Sequence, residues 1–149
     1  MTVTPSTLTI EIHQGASLIE DFERAFYPYE VVWDCGQWLK KCTGLPAPDA
    51  DRVLEDYTGC SAVAVMVPDI GAPEDDEIFT LSTADGTLVL DEAWMRFRLS
   101  PAQTAAFAYG DTLPAWKTCK AYVYVTRADG TVEPQYLVTF NLTQGTPIP

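Results

Sequence analysis

Short runs of alternating apolar and polar residues are the feature that most constrains how this chain folds. The alternation is clearest at residues 7–13 and 94–99. A two-residue period puts successive side chains on opposite faces, so each run predicts a half-buried strand. The predicted strands are residues 7–13, 18–22, 31–33, 61–67, 78–82, 87–90, 94–99, 121–125 and 136–142. Asp-Gly turns at 84–86 and 128–130 favour hairpins between neighbouring strands.

One short helix is predicted after the strand at 94–99. Ser100 can cap its first turn, Pro101 suits the first helical position, and helix formers continue through Ala108 until Gly110. Strands and helices do not alternate along the chain, which disfavours a parallel α/β sheet. We therefore predict an all-β fold, an antiparallel β-sandwich of immunoglobulin-like type. A single domain is expected over residues 1–142, followed by a C-terminal arm at 143–149.

The charge balance excludes several classes of partner. The 149-residue chain has 9 Lys and Arg against 21 Asp and Glu, a formal net charge of -12. Binding phosphates requires a basic face, so nucleic acid and anionic membrane surfaces are disfavoured. No apolar run reaches the roughly 18 residues of a membrane span, and the N-terminus lacks a secretory pattern. We expect the chain to fold in a cytoplasm.

Four cysteines leave three interpretations open: Cys35, Cys42, Cys60 and Cys119. Buried or free thiols are favoured, because a core can form here without disulfides and because Cys60 and Cys119 begin apolar runs. A local disulfide between Cys35 and Cys42 is the second interpretation. A metal site is the third and the least favoured, since no C-x-x-C pair is present and the single His13 is distant in sequence.

The sequence contains no recognisable catalytic arrangement. His13 lies in the first predicted strand and is interpreted as a surface residue rather than a base. The acidic run at 74–77 lacks the spaced ligands of a calcium loop and is interpreted as a solvated loop. Nucleotide-binding glycine motifs are also missing. We therefore predict no catalytic, cofactor-binding or metal-binding residues and no enzymatic activity, with a small hydrolase as the least favoured class.

Aromatic residues are concentrated between residues 25 and 39. Such rings pack in a core, anchor a protein interface or stack on sugar rings, and the core interpretation is favoured. The candidate interface residues are Phe26, Tyr27, Tyr29, Trp33, Trp38 and Trp116. Trp94 is assigned to the core because it lies on an alternating strand.

Several segments together resemble small β-sandwich proteins of tailed-bacteriophage virions, of the kind found in baseplates, tails and fibre adaptors. The segments are residues 14–17 with Phe22, 56–62, 80–86, 97–106, 122–132 and 136–140. Two departures from the family's pattern stand out. Tyr57 occupies a position where leucine is usual, and residues 24–55 form a longer, irregular insert that is rich in aromatics. We expect this insert to carry the contacts that distinguish the protein.

The resemblance implies a non-enzymatic structural component of a phage particle. Its partners would be copies of itself, as a homo-oligomer, and neighbouring tail, neck or capsid subunits. It would be assembled in the bacterial host cytoplasm and would end in the virion. Two alternatives stay open: a module that binds a host-surface glycan through the aromatic segment, and a capsid decoration protein whose C-terminal residues form an arm.

Overall fold

The computed structural model describes residues 5–68, 79–107 and 118–143 of the chain. Strands dominate, and these residues contain one α-helix, so the all-β prediction is confirmed. The strands are β1 (Ser6–His13), β2 (Leu18–Glu23), β3 (Ala25–Phe26), β4 (Val31–Asp34), β5 (Gln37–Lys40), β6 (Val53–Leu54), β7 (Ser61–Pro68), β8 (Phe79–Ser82), β9 (Leu88–Asp91), β10 (Trp94–Leu99), β11 (Thr118–Thr126) and β12 (Val132–Thr143). The helix is α1 (Pro101–Ala105), and a 3-10 turn covers Asp49–Asp51.

Two sheets contain most of the strands. The larger has five strands in the order β1-β12-β11-β7-β8, and the smaller has three in the order β2-β10-β9. The expectation of wholly antiparallel pairing is wrong at one edge, because β1 pairs with β12 in parallel. A parallel pair needs a long crossover between its strands. Here nearly the whole chain separates β1 from β12, so these two strands can lie side by side and run in the same direction.

The two sheets contribute to a single hydrophobic core, and we call them together the body. On β11 every second residue is buried, from Cys119 to Val125. Its neighbour in the sheet, β12, shows the same alternation from Tyr136 to Leu142. Phe97 of the smaller sheet and Phe140 of the larger sheet meet edge to face, with ring centroids 6.4 Å apart. Burying one large apolar side chain contributes about 1.5–3 kcal/mol. The core therefore accounts for most of the body's stability.

The predicted helix is confirmed, although it is shorter than expected. The Ser100 hydroxyl accepts a hydrogen bond from the Gln103 backbone N–H at 3.1 Å, and the Gln103 side chain accepts one from the Ser100 N–H at 2.8 Å. This reciprocal capping fixes where the helix begins. The Thr104 hydroxyl donates to the Ala16 carbonyl at 2.8 Å and so ties the helix to the turn between β1 and β2.

The assignment of Trp94 to the core is wrong. Met95, Phe97 and Leu99 are the buried residues of β10, whereas Trp94 is half-buried on the opposite face. Its ring lies 5.4 Å from the Arg96 guanidinium carbon. Since Trp94 is in phase with Arg96 in a two-residue period, the alternation itself places it on the polar face.

The cysteines, all within the described residues, are thiols. Cys119 is buried and Cys60 is half-buried, whereas Cys35 and Cys42 are exposed. Cys35 lies in the turn between β4 and β5, and Cys42 lies beyond the far end of β5. A disulfide needs Cα atoms within about 7 Å. An extended strand of four residues separates the two by more than that, so the hairpin does not form the suggested local bridge.

Three predicted features lie outside the described residues. These are the acidic run at 74–77, Trp116 and the arm beyond Thr143. Within the part of the chain that is described, no helix is long and apolar enough to cross a membrane.

Candidate functional site

The insert, residues 24–55, builds its own small strands away from the two sheets of the body. β3 pairs with β6, so the first and last strands of the insert lie side by side. Between them, β4 and β5 form an antiparallel hairpin. The segment after β5 folds back on it, because the Ala47 N–H donates to the Trp38 carbonyl at 2.9 Å and the Lys40 N–H donates to the Leu45 carbonyl at 2.8 Å. The insert is therefore a short stalk that ends in a hairpin.

The hairpin turn brings two tryptophans together. Cys35 and Gly36 both have positive φ, 48° and 79°, as a two-residue type I′ turn requires. This turn pairs Asp34 with Gln37, which sets Trp33 directly opposite Trp38. The two rings meet edge to face with centroids 5.0 Å apart. We call Trp33 and Trp38 the Trp pair.

The core interpretation of the Trp pair is wrong. The side chain of Trp33 is 61% exposed and that of Trp38 is 36% exposed. The rest of the chain that the structure describes therefore leaves a large part of both side chains uncovered. Exposed tryptophan is rare on protein surfaces and is enriched where one protein contacts another.

Tyr27 and Tyr29 hold the insert together instead of facing outward. The Tyr27 hydroxyl donates to the Ala47 carbonyl at 3.1 Å, and the Tyr29 hydroxyl donates to Asp51 Oδ2 at 2.7 Å. Tyr27 is buried and Tyr29 is half-buried. Desolvation first and the bond to Asp51 second raise the pKa of Tyr29 to about 12. These two candidates are therefore structural members of the insert.

Cations cover three of the aromatic rings in the insert. Arg52 lies 5.2 Å from the centre of the Tyr27 ring, and Lys40 lies at the same distance from Tyr29. The guanidinium group of Arg24 lies 5.9 Å from the centre of the half-buried Phe26 ring. Among the described residues, the rings of the Trp pair contact each other and no cation. They are thus the candidate interface residues whose ring faces are available to a partner.

A groove runs beside the Trp pair. The residues that line it are Tyr27, Trp33, Gly36, Gln37, Trp38, Pro46, Ala47, Asp49 and Arg52. Its wall combines two exposed aromatic rings with an amide, a carboxylate and a guanidinium group. Such a surface can stack on a flat apolar group while hydrogen-bonding to polar groups around it.

A cluster of charged and polar side chains joins the insert to the body, and we call it the neck. Arg127, from the turn between β11 and β12, forms a two-pronged ion pair with both carboxylate oxygens of Glu55, the last residue of the insert. Arg127 Nη2 also donates to Glu133 Oε2 at 2.9 Å. Arg24, the first residue of the insert, has its Nε 3.4 Å from Glu55 Oε2. The Glu55 side chain is buried, so this ion pair is shielded from solvent.

Hydrogen bonds complete the neck on the side of the body. The Tyr57 hydroxyl donates to Gln135 Oε1 at 2.7 Å, and Gln135 Nε2 donates to Glu133 Oε2 at 3.1 Å. Desolvation opposes ionisation of Glu133, but its bonds from Arg127 and Gln135 outweigh this and lower its pKa. The hydrogen bonds that Arg127 donates, to Glu55 first and to Glu133 second, likewise raise the pKa of Arg127. The charged forms of Arg127 and Glu133 are therefore favoured at neutral pH.

The backbone also fixes the direction in which the insert leaves the body. The Arg24 N–H donates to the Ala93 carbonyl, and the Glu55 N–H donates to the Arg24 carbonyl, both at 2.9 Å. The Tyr57 N–H donates to the Glu92 carbonyl at 2.9 Å. Both ends of the insert are thus bonded to each other and to the turn between β9 and β10. This arrangement presents the Trp pair from a fixed base.

Little in the described residues resembles a reaction centre. His13 is exposed at the end of β1, in the surface position that the sequence predicts. No group of three or more metal-ligating side chains occurs within the described ranges. The acidic and hydroxyl side chains near Arg127 form hydrogen bonds within turns. For example, the Thr58 hydroxyl donates to Asp56 at 2.6 Å, and this bond lowers the pKa of the Asp56 carboxyl.

Comparison with known proteins assigns no family, since neither a family model nor a curated protein matches this chain. The site therefore has to be interpreted from its own geometry. Sequence reasoning missed the neck, because Glu55 and Arg127 are 72 positions apart. It also missed the hairpin, although Trp33 and Trp38 flank the Cys-Gly dipeptide symmetrically and that symmetry was a usable signal.

Proposed function

We propose that this protein is a non-enzymatic structural component of a tailed-phage particle, and that the Trp pair forms its main contact with a neighbouring subunit. The observation that carries the proposal is the exposure of Trp33 and Trp38 on a hairpin with a fixed base. A rigid aromatic anchor at the tip of a projection is an efficient contact, because little side-chain freedom is lost on binding.

We also propose that the all-β fold is, more specifically, a β-sandwich that carries one insert. Two sheets that contribute to one hydrophobic core support this proposal. The segments that resemble phage virion proteins lie mainly in these sheets. Residues 97–106 lead from β10 into α1, and residues 122–132 lead from β11 towards β12. The proposal of a virion protein rests on that resemblance, whereas the proposed contact surface rests on the insert.

A test is to purify phage particles from the source and to search for this chain by mass spectrometry. We expect a stoichiometric component, and absence of the chain from purified particles would overturn the proposal. The contact is tested by the double variant Trp33→Ala, Trp38→Ala. The control is Ile19→Ala, because Ile19 lies on the body and is about as exposed as Trp33. The Trp variant should be lost from particles while the control is incorporated. Equal incorporation would contradict the role of the Trp pair.

Glycan binding is a second candidate, favoured by the groove beside the Trp pair. The faces of the tryptophan rings suit the apolar face of a sugar, and Gln37, Asp49 and Arg52 supply donors and acceptors for hydroxyl groups. This combination of rings and polar groups distinguishes the groove from a purely apolar contact. The ligand would be a polysaccharide of the host surface.

Glycan arrays separate the two candidates. Glycan recognition predicts that the purified chain binds a host polysaccharide and that Trp38→Ala abolishes binding. Asp49→Asn, which keeps the shape of the groove but alters its acceptors, should weaken binding without removing it. Absence of binding to any host polysaccharide would exclude this candidate and leave the protein contact.

A further inference from the structure

The outer face of the five-stranded sheet is unusually apolar for an acidic protein. Tyr122 and Tyr124 on β11 are 47% and 42% exposed. Val63 and Val65 on β7 are each exposed to a similar extent. Val63 pairs with Tyr124, and the same register places Val65 beside Tyr122. These four residues form one continuous patch, which we call the Tyr–Val patch.

The Tyr–Val patch lies at the centre of its sheet. β11 is the third of five strands, with β12 and β1 on one side and β7 and β8 on the other. On the neighbouring strand β12, Leu137 and Pro134 lie opposite the two tyrosines, and Thr139 lies further along that strand. Described charges on this face lie towards one end, at Glu11 and Lys120. An aromatic centre with a mainly uncharged surround is the usual anatomy of a protein interface.

The outer face of the three-stranded sheet has the opposite character. Arg96 Nη1 lies 2.9 Å from Asp21 Oδ2, and Arg98 Nη2 lies 2.7 Å from Asp21 Oδ1. Arg96 also pairs with Asp91 at 3.3 Å. Charges that satisfy one another in this way suit a solvated surface. The contrast singles out the larger sheet as the face that gains most by being covered.

We infer that the Tyr–Val patch joins two copies of this chain face to face about a two-fold axis near β11. This inference rests on the proposed function and deepens it, because the resemblance to virion proteins implies a homo-oligomer. It uses different residues from the Trp pair. A two-fold interface requires a surface that complements itself. A central patch of tyrosine and valine meets that requirement, because the hydroxyl groups both donate and accept and the patch has no charge to repel its copy.

The size of the face fits a second copy. Five strands about 4.8 Å apart, with roughly eight residues at about 3.3 Å each, span roughly 600 Å². Two such faces bury about 1,200 Å² in total, above the roughly 1,000 Å² of a specific interface. A basic partner protein would fit this patch less well than a second copy does. The chain has a net charge of -12, but the four residues of the patch carry no charge that could attract such a partner.

Sedimentation velocity of the full-length chain over a range of concentrations tests the inference. We expect a dimer, and Tyr122→Lys should raise the dissociation constant about 30-fold or more. Val65→Lys is the second variant, and Ile19→Lys on the other sheet is the matched control that should stay dimeric. Thermal unfolding of each variant shows whether it is folded. Higher salt should tighten the dimer, because two acidic copies repel each other and salt screens that repulsion.

Two results would overturn the inference. One is a wild-type chain that is monomeric at every concentration. This result would be expected if a segment of the same chain covered the patch. The other is a folded Tyr122→Lys or Val65→Lys variant that dimerises as tightly as the wild type. Neither result bears on the presence of the chain in particles or on the Trp pair. Failure of this inference is therefore distinguishable from failure of the proposed function.

Discussion

The body and the insert use aromatic residues in opposite ways. In the body, Phe97 and Phe140 lie at the centre of a core that both sheets share, and neither is accessible to solvent. In the insert, Trp33 and Trp38 meet each other on an exposed hairpin. A chain of this composition has enough apolar residues to bury the tryptophans, yet the fold leaves them outside. The difference indicates that the body's aromatics maintain the fold, while the insert's Trp pair is available for contact.

The insert compensates for its small core with polar contacts. Its buried residues include Tyr27 and Ala47, which a single hydrogen bond connects, and Glu55, which the neck neutralises. The body depends on packing, whereas the insert depends on the neck and on its tyrosine–aspartate bonds. Substitutions should therefore affect the two regions through different interactions and by different amounts.

Deleting an aromatic ring should give the largest contrast between the regions. Phe140→Ala in the body should lower the free energy of unfolding by about 3–5 kcal/mol, because it leaves a cavity in the shared core. Trp33→Ala in the insert should cost about 1 kcal/mol or less, since its ring is mostly exposed. Urea denaturation followed by circular dichroism measures both. Equal losses would contradict the division between body and insert.

Breaking the neck should give the next largest effect. Glu55→Gln leaves Arg24 and Arg127 without their buried carboxylate and should cost about 3 kcal/mol. The control is Glu30→Gln, whose pairing with Lys41 at 3.2 Å is exposed and should contribute less than about 1 kcal/mol. Denaturation measures the loss, and limited proteolysis should show new cleavage within the insert. A Glu55 variant that behaves like the Glu30 control would show that the neck does not hold the insert.

Removing one hydroxyl group should cost more where it forms a buried hydrogen bond than where it lies on an exposed side chain. Tyr57→Phe leaves Gln135 Oε1 without the donor that lies 2.7 Å away and should cost about 1.5 kcal/mol. Tyr122→Phe removes an exposed hydroxyl from the body and should change monomer stability by less than about 0.5 kcal/mol. Thermal unfolding at low protein concentration compares the two. A larger loss for Tyr122 would be inconsistent with this account of the neck.

The smallest predicted effect is the titration of Tyr29 in the insert. Its folded pKa of about 12 exceeds the ordinary value of 10.0, so the neutral phenol is favoured in the folded state. Its contribution to stability is therefore complete below pH 10 and is lost as the pH rises through about 12. The ultraviolet difference titration of wild type against Tyr29→Phe should show a phenol with a pKa of about 12. A difference centred at pH 10 would show that the bond to Asp51 is absent in solution.

The body could be predicted from the sequence because a two-residue period directly reports which side chains face a core. The apolar run that Cys119 begins correctly predicted the burial of that residue. The period of β10 places Trp94 on the polar face, but the prediction of a core position used the alternation of the strand without its phase. Ser100 and Pro101 marked the beginning of the helix because capping depends on local sequence. The parallel pairing of β1 with β12 could not be predicted, since strand pairing over that distance has no local signal.

The site was predictable only in part. The aromatic residues of the insert were identified, but the exposure of Trp33 and Trp38 and the burial of Tyr27 depend on how the insert folds, which no local pattern reports. The neck depends on Arg127 reaching Glu55 across the fold, so its residues become neighbours only through tertiary structure. Sequence reasoning thus named Trp33 and Trp38 among its candidates, and the structure added the contacts that hold them in place.

Hydroxyl-radical footprinting of the free chain and of the chain within purified particles tests the central claim most directly. The account predicts that Trp33 and Trp38 are oxidised readily in the free chain, since both rings are exposed. Within the particle both should be protected, whereas Ile19 on the charged face of the body should be modified to the same extent in either state. Equal oxidation of the Trp pair in the free and assembled states would contradict the claim that these residues form the contact.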